Sequence, residues 1–285
     1  MSPTKPAPEK KSGHLAVNGV NYYYEVHGSG EPLLLLHGGL MSIDSFGPVL
    51  TKLAETRQVI AVDLQGHGRT DLGTRKMSVP DMGDDMSAIL YKLGYKQVDA
   101  MGYSLGAATA FRLAIQHPNQ VRRLVLLSAA FSRDGFYPEM LPLQAQVSSA
   151  ALPMMKNTPM YQSYVKIAPH PEDFGTLLDR IGELMRTNYD WRDDLEKLSQ
   201  PTLLVWGDSD MMRPEHMVES YKAIGGGQKD AGWQRENMSK NRLAVLPNAT
   251  HYDILESPSL VPTVLPFVDG YPAGPTSEAQ VATKQ

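Results

Sequence analysis

Gly102-Tyr103-Ser104-Leu105-Gly106 sets a serine between two glycines, directly behind the compact, partly β-branched run Gln97-Val98-Asp99-Ala100-Met101. Behind it, Ala110, Leu113 and Ala114 recur at helical spacing until Pro118 stops the run. Strand, serine turn and helix in that order make a nucleophile elbow, a bend in which the serine hydroxyl stands out at the top of a sheet. The flanking glycines matter because only a residue without a Cβ lets the neighbouring backbones approach that closely. A Ser-Gly pair alone would be an ordinary turn; its place between a strand pattern and a helix pattern raises it above that.

Working outward, short apolar runs alternate with amphipathic stretches. Tyr22-Tyr23-Tyr24-Glu25-Val26, Leu33-Leu34-Leu35-Leu36, Val59-Ile60-Ala61-Val62, Val98 to Met101 and Leu124-Val125-Leu126-Leu127 read as strands. Residues 46–56, 80–93 and 105–117 carry helical spacing between the later ones, which predicts an α/β fold with a mostly parallel central sheet covered by helices on both faces. The Asn18-Gly19 turn joins two strand patterns into an antiparallel hairpin at the sheet edge. From residue 131 to 200 the pattern changes to a stretch rich in Met, Pro and aromatics, which reads as an inserted helical cap. The core is then residues 14–130 and 201–270, and the polar ends 1–13 and 271–285 read as disordered tails.

A serine hydroxyl is a weak nucleophile near neutral pH, so it needs a base, and the base needs a group that fixes its tautomer. Of eight histidines, His251 follows the last strand pattern, Arg242 to Leu246, and precedes the last helix pattern, at the same sheet edge as Ser104. His37 and His67 lie in glycine-rich loops and are expected to hold those loops by hydrogen bonds. His14, His27, His117, His170 and His216 read as surface or loop residues. Trp206-Gly207-Asp208-Ser209-Asp210 ends the preceding strand with two carboxylates. Asp210, past the strand end, is the expected acid, while Asp208 is placed to bond the turn's amides. Asp134, after Ser128-Ala129-Ala130-Phe131, is a distant third. An oxyanion needs backbone donors; Leu105 N–H supplies one, and Gly39 or Leu40 in the loop His37-Gly38-Gly39-Leu40 supplies the other. Within the insertion, Met140, Met155 and Tyr164, with Tyr103 beside the serine, are the candidate lining of a substrate pocket, because thioethers and rings fill irregular apolar space.

Composition narrows the classes. With 285 residues, 42% of them hydrophobic, the chain can bury one large core. A net charge of −4 with no long basic stretch argues against nucleic acid or an anionic membrane as partner. The absence of cysteine removes thiol nucleophiles, thiolate metal sites and disulfides. No signal-peptide pattern or membrane-length apolar run appears, so a cytoplasmic location is the expectation. No closely spaced ligand cluster predicts a metal, and no cofactor is expected.

Together, His37-Gly38-Gly39, the run Asp63-Leu64-Gln65-Gly66-His67-Gly68-Arg69-Thr70, the serine elbow, Trp206 to Asp210, and His251 resemble the α/β-hydrolase fold superfamily, over residues 15–269. The resemblance lies closest to the cap-bearing esterase, cofactor-free perhydrolase and carbon–carbon hydrolase branches. Serine at 104 departs from the epoxide hydrolase and haloalkane dehalogenase branches, which carry aspartate there. The loop at 37–40 lacks the third glycine of the hormone-sensitive-lipase-like esterases. Thr70 stands where many relatives carry serine, in a turn expected to do no chemistry. The expected function is hydrolysis of a small-molecule carboxylic ester through an acyl-enzyme, with Ser104, His251 and Asp210 as triad. The same triad serves lactonases, perhydrolases, amidases and carbon–carbon hydrolases, and the fold also serves slow-turnover ligand sensors.

Overall fold

The computed structural model describes residues 10–270. The sheet is built from β1 (Lys11–Val17), β2 (Val20–His27), β3 (Pro32–Leu36), β4 (Gln58–Val62), β5 (Val98–Tyr103), β6 (Val121–Leu127), β7 (Thr202–Ser209) and β8 (Arg242–Thr250). Around and between them run α1 (Pro48–Ala54), α2 (Val79–Lys92), α3 (Leu105–Gln116), α4 (Met140–Ala145), α5 (Leu152–Met155), α6 (Pro159–Ile167), α7 (Phe174–Arg186), α8 (Arg192–Leu195), α9 (Pro214–Ala223) and α10 (Leu260–Val268). The strand order is β1-β2-β4-β3-β5-β6-β7-β8. β2 pairs antiparallel with both β1 and β4, and every pairing from β4 to β8 is parallel.

The apolar runs are continuous because both faces of the parallel strands are covered. Successive side chains point to opposite faces. Leu34, Leu36, Ile60, Val62, Leu124 and Leu126 therefore join one core with α2 and α3 residues such as Met86, Ile89, Phe111 and Leu113. Leu33, Leu35, Val59, Ala61, Val125 and Leu127 join a second core with Leu50 and Leu53 of α1 and Leu260 and Val264 of α10. The Asn18-Gly19 turn has positive φ at both residues, 47° and 81°, as a tight hairpin turn requires.

Two boundaries differ from the sequence reading. Lys11, Ser12 and Gly13, assigned there to the N-terminal tail, are the first residues of β1, because their backbone pairs with Val26, Glu25 and Tyr24 of β2. The Lys10 ammonium adds an ion pair to Glu25 at 2.7 Å. The last strand continues past Leu246 to Thr250, with an irregularity between Gly207 and Ser209 in its pairing to β7. The rest of the expected tails, residues 1–9 and 271–285, lies outside the described residues.

Between β6 and β7 the chain passes through α4 to α8. Phe174, Leu177, Leu178 and Ile181 of α7 are buried and continuous with the first core. Arg180 of the same helix donates to the carbonyls of Leu72, at 3.1 Å, and Arg75, at 2.9 Å, pinning α7 to the loop after β4. This segment is thereby seated over the carboxyl ends of the strands.

Chain order reverses on either side of β3, which lies between β4 and β5, so the loops leaving β3 and β5 diverge and open a crevice at the carboxyl edge. At that point the elbow packs tightly. A Cβ on Gly106 would lie 2.2 Å from the Leu36 carbonyl oxygen, and one on Gly102 would lie 2.1 Å from the Gly106 carbonyl oxygen. Gly106→Ala is expected to destabilise the protein by about 3 kcal/mol or more, because the atoms its Cβ would meet belong to the backbone of Leu36 and His37, with no flexible side chain to move aside. Urea denaturation checks this; a variant with the parent's midpoint would contradict the packing described.

Candidate active site

Ser104 sits between β5 and α3 with φ of 52°, a left-handed conformation rare for a residue with a Cβ. Its N–H donates to the Leu127 carbonyl at 2.9 Å, and its carbonyl accepts from Ala108 N–H at 3.0 Å, so the strained turn is held from both sides. The hydroxyl lies 3.1 Å from His251 Nε2, and His251 Nδ1 lies 2.9 Å from Asp210 Oδ1. The three side chains predicted from order along the chain thus stand in one hydrogen-bonded line. Asp210 Oδ1 also accepts from Met211 N–H at 2.8 Å, and Oδ2 accepts from the Ser128 hydroxyl at 2.5 Å and Gly207 N–H at 3.3 Å. Burial pushes the Asp210 carboxyl upward, but the hydrogen bonds and charge of His251, with Ser128 and Gly207, outweigh it and leave the group below the usual carboxylate range.

Asp208 is exposed and accepts from Asn248 N–H at 3.0 Å and Ala249 N–H at 3.2 Å, so it ties the end of β7 to the end of β8, as its place in the turn predicts. Asp134 is engaged with Ser132 and Arg192 and makes no contact with His251. Ser128 escaped the sequence reading. It has φ of 49° at the end of β6, and the signal that could have marked it is a lone hydroxyl between Leu127 and Ala129 at the carboxyl edge.

The second glycine-rich loop and the first are joined under this site. His37 Nδ1–H donates to the Gly38 carbonyl at 2.7 Å, and Nε2 accepts from Leu64 N–H at 3.0 Å. His67 Nδ1 bonds the Gln65 carbonyl at 2.8 Å. Both rings therefore hold loops, as expected. Burial and, for His37, the neighbouring His67 lower their pKa values, to about 3 for His37 and about 4 for His67. Asp63 accepts from Ile43 N–H at 2.7 Å and Arg69 N–H at 2.9 Å, yet its burial prevails and raises its pKa to about 6. Gly39 faces Leu105, since a Cβ there would be 4.0 Å from Leu105 Cδ2. Leu105 opens α3, so its N–H has no partner within the helix. The residues expected to supply the two oxyanion donors therefore approach each other through the Leu105 side chain.

Two readings need correction. Tyr103, expected to line a substrate pocket, is instead buried in the second core and is not a wall of the cleft between α6 and the loop after β3; its ring lies against Gly38, whose added Cβ would meet it at 2.7 Å. Its hydroxyl donates to the His251 carbonyl, and its ring lies 5.3 Å from the imidazole. Because β5 alternates, the residue before the serine points below the sheet edge while the serine stands above it. His216 is not a surface residue. It is buried on α9, where Nε2 accepts from Phe131 N–H at 3.1 Å, and burial lowers its pKa to about 4.

A cleft of about 240 Å³ opens between α6 and the loop after β3. Leu40, Met41, Ser42, Met160, Tyr164 and Ile167 are among its walls, and no charged side chain lines it. Tyr164 is on this cleft; Met155 packs against the first core and neither it nor Met140 lines this opening.

The alpha/beta hydrolase fold family matches residues 31–181, more than half of the chain. The chain belongs to that family. The match ends within the segment between β6 and β7, before Asp210 and His251. A pimeloyl-[acyl-carrier protein] methyl ester esterase of Nitrosospira multiformis is 28% identical over 271 residues, covering 84% of this chain and 94% of that one. Among solved structures, the carboxylesterase CesB (YbfK) of Bacillus subtilis superposes with a TM-score of 0.68 at 20% identity, covering 92% of both chains. The enol-lactonase of Burkholderia xenovorans LB400 superposes with a TM-score of 0.66 at 18% identity, covering 90% of this chain and all of that one. The superpositions speak to fold; the sequence relative adds that esterases stand among the chain's kin. No helix among the described residues is long and apolar enough to cross a membrane.

Two outcomes follow from this geometry. Tyr103→Phe keeps the ring but leaves the His251 carbonyl without that donor, and is expected to cost about 1 to 3 kcal/mol in urea denaturation. The second outcome concerns acid. His37, His67 and His216 have folded pKa values below the free imidazole's 6.5, so unfolding takes up protons that the folded protein resists. Their stabilisation is complete above about pH 7 and is lost as pH falls from about 6.5 towards 4. Asp63, raised to about 6, acts in the opposite sense and offsets roughly one of the three. Tm is therefore expected to be flat from about pH 8 to 7 and to fall from 6.5 to 4.5; a Tm that holds or rises over that interval would count against the buried neutral histidines.

Proposed function

We propose that the protein is a serine hydrolase that cleaves a small-molecule carboxylic ester through an acyl-enzyme. The observation that carries the reading is the unbroken line from Ser104 Oγ through His251 to the Asp210 carboxylate, with steps of 3.1 Å and 2.9 Å. In the proposed cycle, Ser104 attacks the ester carbonyl while His251 Nε2 takes its proton. Asp210 holds Nδ1–H and so keeps Nε2 free as the acceptor; it also stabilises the imidazolium that forms. The negative charge developing on the carbonyl oxygen meets the N–H groups of Leu105 and Gly39, which require no reorganisation at that moment. His251 returns the proton to the departing alcohol, and water, activated by the same imidazole, releases the acid.

The segment over the crevice acts in this reading as a cap, and its cleft favours an ester with one uncharged, largely apolar arm. An ionised arm would lose its hydration there and meet no counter-charge. The esterase relative supports the choice of an ester over the other bonds that such a triad can break. Cytoplasmic residence and the lack of nucleic-acid or membrane partners belong to the same proposal.

A graded series of p-nitrophenyl esters, acetate to laurate, tests it with the parent chain and Ser104→Ala in parallel. The variant is expected to lose at least about a thousandfold in kcat, as removal of a triad nucleophile does, and the best chain length sizes the cleft. Activity is expected to be unchanged by a chelator, since no step here requires a metal. Equal rates in the two proteins would remove Ser104 as the nucleophile.

A further inference from the structure

We infer that Ser128 is a positioning residue for the reaction: its hydroxyl, donated to Asp210 Oδ2, fixes the rotation of the carboxylate that in turn holds His251. The inference rests on the triad reading above and goes beyond it by adding a fourth residue from a different strand.

Both oxygens of the Asp210 carboxylate act as acceptors. Asp210 Oδ1 is taken by His251 Nδ1 and Met211 N–H, at 2.9 Å and 2.8 Å. Oδ2 has the Ser128 hydroxyl at 2.5 Å and Gly207 N–H at 3.3 Å. Without the hydroxyl, Oδ2 would keep only the long bond to Gly207. The Cβ–Cγ torsion of an aspartate is broad and nearly two-fold, so little else in the side chain resists its rotation. A turn of the carboxylate would carry Oδ1 away from Nδ1, and with it the lock on the imidazole tautomer and orientation.

The backbone makes the same point independently. Ser128 holds φ of 49°, although glycine would take that conformation without strain. Its N–H donates to the Val205 carbonyl at 2.8 Å, which anchors the end of β6 to β7, the strand that carries Asp210. The residue is 1% exposed, so its hydroxyl has no water to turn to. A side chain retained at a strained, buried turn and aimed at the carboxylate behind the base is one whose hydroxyl has work there.

Ser128→Gly and Ser128→Ala test this, with p-nitrophenyl butyrate as substrate and a fluorophosphonate as a probe of Ser104 reactivity. Glycine relieves the strain at φ 49°, so Ser128→Gly is expected to keep the parent's fold while losing the hydroxyl. Both variants are expected to lower kcat and the phosphonylation rate about tenfold, the scale of one hydrogen bond to a charged group, with KM within about twofold. The low-field proton resonance of His251 Nδ1–H is expected to shift or broaden in both. A structural role alone would move Tm and leave kcat per folded molecule and that resonance unchanged. Folded Ser128→Gly with the parent's kcat and resonance overturns the inference. Ser104→Ala run beside them separates the two readings: if it retains activity or labelling, the triad reading falls; if it loses both while Ser128→Gly does not, only the role of Ser128 falls.

Discussion

The approach of Gly106 to the carbonyls of Leu36 and His37, where a Cβ would come within 2.2 Å and 2.5 Å of their oxygens, constrains everything built above the sheet. It brings the start of α3 against the end of β3, so the loop carrying Gly38, Gly39 and Leu40 is laid beside the first N–H groups of α3. Beside it Ser104 stands at φ 52°. An elbow with ordinary residues at 102 and 106 would need the ends of β3 and β5 and the start of α3 to separate.

Around that contact, four neighbouring strands each deliver one group to the same edge. β5 leads to Ser104, β6 to Ser128, β7 to Asp210 and β8 to His251. Parallel pairing is what allows this, because it places every carboxyl terminus on one side. The polar groups that support them sit below: His37 joins the two glycine-rich loops, and Tyr103 holds the carbonyl of His251 from underneath. This edge therefore rests on buried hydrogen bonds between loops, a network in which each unpaired member would be costly.

Much of this is legible in the sequence. Leu33 to Leu36 and Leu124 to Leu127 are unbroken apolar runs, and only strands covered on both faces tolerate them. Ser104, Asp210 and His251 could be chosen because each stands directly after a strand pattern, and strand ends on a parallel sheet converge. Asp208 could be set apart from Asp210 because its position fits the turn's amides. Tyr103 and His216 were misplaced for different reasons: Tyr103 was assigned by its place beside the serine, and His216 by the usual exposure of an isolated histidine. Tyr103 neighbours the serine yet faces the opposite side of the strand, and His216 falls on the face of α9 that covers Phe131.

Local pattern determined the fold class, the elbow and the order of serine, acid and histidine, because these depend on periodicity and on which residues tolerate a strained turn. The tertiary structure alone decided that Ser128 meets Asp210 across 82 residues, that His37 binds the amide of Leu64, and that the cleft runs under α6 beside Leu40. Such contacts depend on strand order and on which face of a strand or helix a side chain takes. A chain read in one dimension carries the first kind of constraint in every short window, while the second exists only once distant segments have been packed together.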